Sequence, residues 1–168
     1  EHYLLHLLRG DASYLPSLSL VAEKEGRVIG GIWYALGQVR GEKTADIPLF
    51  GPVTVEPGLQ GQGVGSLLIE QSLSLAAKAG YPGVIIFGDP GYYARFGFVP
   101  CGQHGITTAE GGNFDAFMVK ELRPGAMRGI TGAFHPPSVC DVAPGEAAAF
   151  DARYPYREKL KLPGQLHG

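Results

Sequence analysis

Long apolar runs are missing from this chain: none approaches a bilayer span, and no signal peptide is visible. An excess of one charge is missing too. Lys and Arg number 14 against 16 Asp and Glu, a net charge of −2. That balance removes the electrostatic case for nucleic acid or an anionic membrane. Cysteine is limited to Cys101 and Cys140, far apart and without metal-ligand spacing. Two free thiols in a reducing cytoplasm is the expectation, with one disulfide as the alternative. A metal cluster is lacking as well, since His2 and His6 stand at i,i+4 without a further ligand.

What is present is an ordinary globular composition. Hydrophobic residues make up 45% and charged residues 18% of 168 positions, enough for one domain with a sizeable core. Gly at 26 and Pro at 13 are high, so many turns and an irregular C-terminal part are expected.

Periodicity divides the chain further. "EHYLLHLLRG" opens at amphipathic stride, with Tyr3, Leu4, Leu7 and Leu8 at helical spacing up to Gly10. Leu18 to Glu23 and Arg27 to about Val39 read as a hairpin turning at Glu25-Gly26. "GEKTAD" reads as a polar turn, and "IPLFGPVTV" as a strand interrupted at Gly51-Pro52, where a bulge or broken pairing is expected. A helix follows, with Val64, Leu67, Leu68, Leu75, Ala76 and Ala79 on one side, ending at Gly80. "GVIIFG", Gly83 to Gly88, reads as a strand buried on both faces. Asp89 and Pro90 then start a short helix ending at Gly97. Phe114 to Leu122 and a segment near Ile130 read as the last strands. "EAAAFDAR" forms a helix, and "YPYREKLKLPGQLHG" an extended tail.

The chemically suggestive stretch is "VTVEPGLQGQGVGSLLIEQ". Gly61, Gly63 and Gly65 precede a helix with no Pro or acid in its first turn. Glycines let backbone amides approach a ligand, and a helix start offers unpaired N–H groups with a positive dipole end. A phosphate cradle and a bare strand-to-helix turn are both open readings of the loop alone. A Walker A loop is excluded, because no lysine is present. A dinucleotide fingerprint wants a third glycine where Ser66 stands, which weighs against an NAD-binding oxidoreductase fragment. Gln60-Gly61-Gln62-Gly63-Val64-Gly65 does match a third pattern, Gln/Arg-x-x-Gly-x-Gly/Ala after a strand.

With that loop, "YYARFGF" makes a Tyr-x-x-x-Gly-Phe element one strand later, and the pair resembles the GCN5-related N-acetyltransferase (GNAT) family. The run from Leu18 to Leu122 is most like its bacterial YhbS-type subgroup, and residues 124–168 are less typical. The resemblance implies an α/β acyl-CoA N-acyltransferase fold: a mixed, mostly antiparallel sheet flanked by helices, with a splay between two central parallel strands. The family's first strand and first helix would precede the helix that opens this single domain, so an upstream segment is expected.

The resemblance also implies a mechanism. The pantetheine arm of acetyl-CoA, the cosubstrate, would pair with the backbone of Val53, Thr54 and Val55. Amides of Gln60, Gly61, Gln62, Gly63, Val64, Gly65 and Ser66 would hold its pyrophosphate, and an N–H near Val53 would polarise the thioester carbonyl. Tyr93 would contact the cofactor and protonate the leaving thiolate as general acid. Asp46 is the candidate general base, set against its reading as a turn residue, and Asp89 reads as a helix N-cap. His104 and Glu110 lie in a loop that could reach the acceptor cleft. His135 reads as a surface residue, Trp33 as core and Cys101 as inert. The acetyl group would pass to an unidentified amine by direct attack in a ternary complex, with no metal. A non-catalytic acyl-CoA-binding module is the alternative. The "ARYPYREKLKLPGQL" stretch suits a homodimer interface as well as a packed tail.

Overall fold

A computed structural model describes residues 2–155. The extended tail expected from Tyr154 onward, and any interface on it, lie almost wholly outside the described residues. In chain order the elements are α1 (His2–Leu8), β1 (Leu20–Lys24), β2 (Arg27–Arg40), β3 (Thr44–Val55), α2 (Val64–Lys78), β4 (Gly83–Phe87) and α3 (Pro90–Tyr93). There follow β5 (Val99–Pro100), β6 (Ile106–Thr108), β7 (Phe117–Glu121), β8 (Gly132–His135) and α4 (Pro144–Asp151), with short 3₁₀ turns between several of them.

The strands form one mixed sheet in the order β5-β7-β4-β3-β2-β8-β6, with β1 also on β2. β3 and β4 run parallel, as do β6 and β8; the other pairs are antiparallel. Alternation along the strands sends side chains to two cores. Ile32, Tyr34, Phe50, Val84, Ile86 and Met118 meet Leu68, Ile69 and Leu73 of α2. On the other face Ala35, Val39, Ile47, Leu49, Ile85, Phe117 and Phe134 pack with Leu8 of α1 and Cys101. β4 is buried on both faces over Gly83 to Ile86, as its unbroken apolar run requires.

β3 creates the feature on which the site depends. Its register against β2 steps from Ile32↔Val53 to Tyr34↔Phe50, so Gly51 and Pro52 oppose Trp33 alone. The strand nevertheless continues through the bulge, and the expected interruption is a local irregularity inside it. The Gly51–Pro52 peptide is cis. Pairing between β3 and β4 is confined to Leu49↔Ile85. Beyond it the two strands part, leaving Val53, Thr54 and Val55 paired with β2 and open on the side of β4.

Several expectations shift. The turn is shorter than "GEKTAD", because Thr44, Ala45 and Asp46 pair with Arg40, Val39 and Gln38 inside β3. β1 starts at Leu20, since Ser19 Oγ and its amide both donate to the Leu15 carbonyl and hold Leu18 and Ser19 in a turn. β7 starts at Phe117, whose amide closes a turn onto the Phe114 carbonyl. The buried stripe of α2 is Leu68, Ile69, Ser72, Leu73 and Ala76, whereas Leu67 is 55% exposed and Ala79 lies at the surface. The i, i+1, i+4, i+5, i+8 spacing carries that stripe, and Leu67 is rotated off it. Leu68→Ala should therefore lower unfolding stability by about 2–5 kcal/mol. Leu67→Ala should stay within about 0.5 kcal/mol, and urea unfolding of both variants checks the assignment.

At its C-terminus α2 closes as expected. Gly80 has φ +91°, its N–H bonds the Ala77 carbonyl, and the Tyr81 N–H reaches back to Ala76. Neither cysteine is in a disulfide. Burial pushes the Cys101 thiol up to about 12, and burial with the nearby charges of Asp141 and Asp11 pushes Cys140 up to about 11. A thiol reagent at pH 8 should leave Cys101 unmodified until the protein is unfolded; labelling at a free-thiol rate would contradict its burial. Because the folded pKa lies above the unfolded value of about 8.5, this stability is complete below that pH. It is lost as pH rises toward the folded values.

Candidate active site

The loop after β3 directs its first amides to itself and to β2, those of Glu56, Leu59 and Gln60 donating to the Ile29, Glu56 and Pro57 carbonyls, and leaves those of Gly61 to Ser66 free. Pro57–Leu59 make a 3₁₀ turn, and the side chains of Gln60 and Gln62 brace the loop internally. Gln60 Nε2 donates to the Val55 carbonyl at 3.1 Å and Gln62 Nε2 to that of Gly58 at 3.2 Å. Gly63 is the N-cap of α2 at φ +87°, a left-handed geometry that disfavours a Cβ. The first helical bond runs from the Leu67 amide to the Gly63 carbonyl, 2.9 Å. The amides of Val64, Gly65 and Ser66 therefore have no helical acceptor, and no side chain caps them. Among the described residues no backbone carbonyl accepts from Gly61, Gln62 or Gly63 either. The first turn carries no acid, so consecutive donors and the positive end of a 15-residue helix face solvent together.

Beside this cradle lies the opened edge of β3. Val53, Thr54 and Val55 pair with Ile32, Gly31 and Gly30 on one side only, and the loop follows directly from their last residue. The sequence-expected backbone donors and the loop thus form one continuous surface from the splay to the start of α2.

Across the splay stands α3. Asp89 is its N-cap, with the carboxylate accepting from the Gly91 amide at 2.9 Å. The turn places the half-buried Tyr93 ring against Phe50 (centroids 6.0 Å apart) and Phe98 (5.9 Å). Gly88 is what lets it in: a Cβ there would meet the ring carbon Cε2 at 2.3 Å. Phe50 neighbours Leu49, the last β3 residue paired with β4, so Tyr93 rests where the strands part. Beneath it the buried Tyr34 hydroxyl meets Ser72 Oγ at 2.9 Å. Burial, with a smaller contribution from Tyr93, holds the Tyr34 phenol well above its ordinary range. Tyr34 and its Ser72 partner form a polar floor that alternation alone does not reveal.

Asp46 lies elsewhere. Its carboxylate accepts from Gln38 Nε2 at 2.9 Å on an exposed part of β3. Phe50 is four residues further along that strand, about 14 Å at the usual rise. The fold brings Tyr93, Phe50, Val53 and the glycine loop to one place and leaves Asp46 outside it. Among the described residues no group of His, Cys, Asp and Glu could hold a metal ion, and no helix is long and apolar enough to cross a membrane. Shallow cavities between α1 and α4 and at the β2–β8 edge share no residue with the loop or the splay.

A splayed α/β sheet with an amide-lined loop at the open end is the architecture of an acetyltransferase-like domain. Residues 16–100 match the Acetyltransferase (GNAT) domain. The chain is 35% identical over 133 residues to the uncharacterized N-acetyltransferase YhbS of Escherichia coli K12, covering 79% of this chain and 78% of that one. The crystal structure of Escherichia coli YhbS in complex with CoA superposes with a TM-score of 0.76 at 31% identity, covering 84% of this chain and 78% of that one. A GNAT family acetyltransferase from Brucella melitensis in complex with acetyl-CoA gives 0.65 at 31% identity, with the same coverage. The chain belongs to the GNAT acetyltransferase family.

Proposed function

We propose that this protein transfers the acetyl group of acetyl-CoA to an amine. The observation that carries the reading is the continuous surface joining the unpaired edge of β3 to the free amides at the start of α2. In this reading the amides of Gly61 to Ser66 hold the pyrophosphate, the Gln60 amide expected to join them being bonded to the Pro57 carbonyl, and the pantetheine arm lies along Val53 to Val55 as an added strand. An N–H near Val53 polarises the thioester carbonyl. The amine nitrogen attacks the carbonyl carbon, the C–S bond breaks, and the Tyr93 hydroxyl gives its proton to the departing thiolate. The attacking amine releases its own proton to solvent or a basic group. Asp46 serves as that group only through a relay, because the fold sets it well below the splay. Two relatives solved with CoA or acetyl-CoA support this choice of cosubstrate.

The test is acetyl transfer itself. The protein is incubated with acetyl-CoA and a panel of primary amines: small amines, amino acids, aminoglycosides and peptide amines. Mass spectrometry then follows each amine. Enzyme-dependent gain of one acetyl group, with release of free CoA, is expected. Tight acetyl-CoA binding with no turnover across the panel, and no loss on changing Tyr93, would instead describe an acyl-CoA-binding module.

A further inference from the structure

The anion cradle has no cation of its own: from Thr44 to Ala77 the sequence contains neither Lys nor Arg. A pyrophosphate met by amides alone would be only partly neutralised. A guanidinium does stand beside the loop, delivered by α3. The amides of Tyr92 and Tyr93 bond the Asp89 carbonyl at 3.0 and 2.9 Å, which fixes the start of the turn. The Tyr92 ring packs with the α2 core, and its hydroxyl oxygen lies 3.4 Å from where a Cβ on Gly65 would stand. Three residues on, Arg95 lies over that ring, with Cζ 3.9 Å from the centroid. Its Nε donates to the Tyr92 carbonyl at 3.0 Å, a second restraint on the same side chain.

Arginine offers five donors in a rigid fork, and here one is used. Among the described residues the ion pairs are His2–Asp151 and Arg27–Glu56, so no carboxylate neutralises Arg95. The group is exposed, yet stacked and hydrogen-bonded in place. A guanidinium fixed in this way without an anion, one tyrosine ring away from unpaired helix-start amides, is pre-organised for a phosphate oxygen pair.

We infer that Arg95, held by the Tyr92 ring, is the side-chain cation of the CoA phosphate site and sets the affinity for the charged end of the cosubstrate. This rests on the acetyl-CoA reading given above. Tyr92 is then a positioning residue: its ring orients Arg95.

Binding of acetyl-CoA and of its 3′-dephospho form is measured calorimetrically over a range of salt concentrations. The chains are the parent, Arg95→Gln, Tyr92→Phe and Tyr92→Leu, each shown to be folded by circular dichroism. Arg95→Gln should weaken acetyl-CoA by about tenfold, the scale of one lost charge-assisted hydrogen-bond pair. It should also flatten the rise of log Kd with log salt. Tyr92→Phe keeps the ring and should stay within about twofold, whereas Tyr92→Leu should follow Arg95→Gln. The dephospho form assigns the phosphate: equal weakening places Arg95 on the pyrophosphate, and no weakening places it on the 3′-phosphate. Affinity within twofold of the parent for Arg95→Gln, or an unchanged salt slope, would overturn the inference while leaving the loop reading intact. Failure of the parent to bind either compound would overturn both.

Discussion

A Gly63→Glu chain is expected to fold and to lose acetyl-CoA. Gly63 caps α2 at φ +87°, and no atom lies within 4 Å of where its Cβ would stand. A side chain has room there, so the penalty is the left-handed backbone alone, about 1–2 kcal/mol. The position is exposed and outside both cores, so the sheet and α2 should survive the change. The introduced carboxylate, however, would lie at the amides of Val64, Gly65 and Ser66, where the helix dipole favours an anion. It would compete with the pyrophosphate for those donors and repel it. A loss of about 100-fold in affinity is expected, equivalent to about 2.7 kcal/mol. Thermal-shift titration separates the two effects: the variant melts slightly lower, and acetyl-CoA no longer raises the midpoint. Gly63→Asn is the control, because Asn tolerates the left-handed region without adding charge. It should keep most of the affinity. A Gly63→Glu protein that binds like the parent would show that these amides do not face the ligand.

Tyr93→Phe should separate chemistry from binding. The ring contacts to Phe50 and Phe98, and the fit over Gly88, survive removal of the hydroxyl. The Kd for acetyl-CoA should therefore change little, within about threefold. Without a proton donor the thiolate leaves unassisted, and kcat should fall by about 10²-fold or more. A fall in kcat and kcat/KM together, at constant Kd, marks an interaction made only in the transition state. An unchanged kcat would reduce Tyr93 to a packing residue of the α2-side core.

Most of the architecture was legible because its signals are local. Gly80 ends α2, Asp89 and Pro90 start α3, and the apolar run of β4 sits buried on both faces, each a matter of a few adjacent residues. The glycine loop was legible for the same reason, since its geometry depends on residues within one turn of each other. What escaped depends on tertiary contact. β5 and β6 are only two and three residues long and gain their identity from pairing with β7 and β8. Periodicity alone puts Leu67 on the buried stripe of α2, because several apolar residues offer overlapping helical faces and the sheet beneath chooses among them. Tyr34 and Ser72, 38 positions apart, meet only because α2 crosses β2. Asp46 resembled a turn carboxylate until Gln38 across the ladder placed it in β3. Arg95 carries no signal in the sequence beyond its place in a short motif: what sets it apart is a stack on Tyr92 and the absence of cations from the loop.

Calorimetric titration of the parent protein with acetyl-CoA, set beside ATP and NAD at the same concentrations, tests the assignment of the glycine loop most directly. Saturable one-site binding of acetyl-CoA in the micromolar range, with no heat from NAD or ATP beyond dilution, is the expected result. Binding of NAD or ATP in place of acetyl-CoA would contradict it.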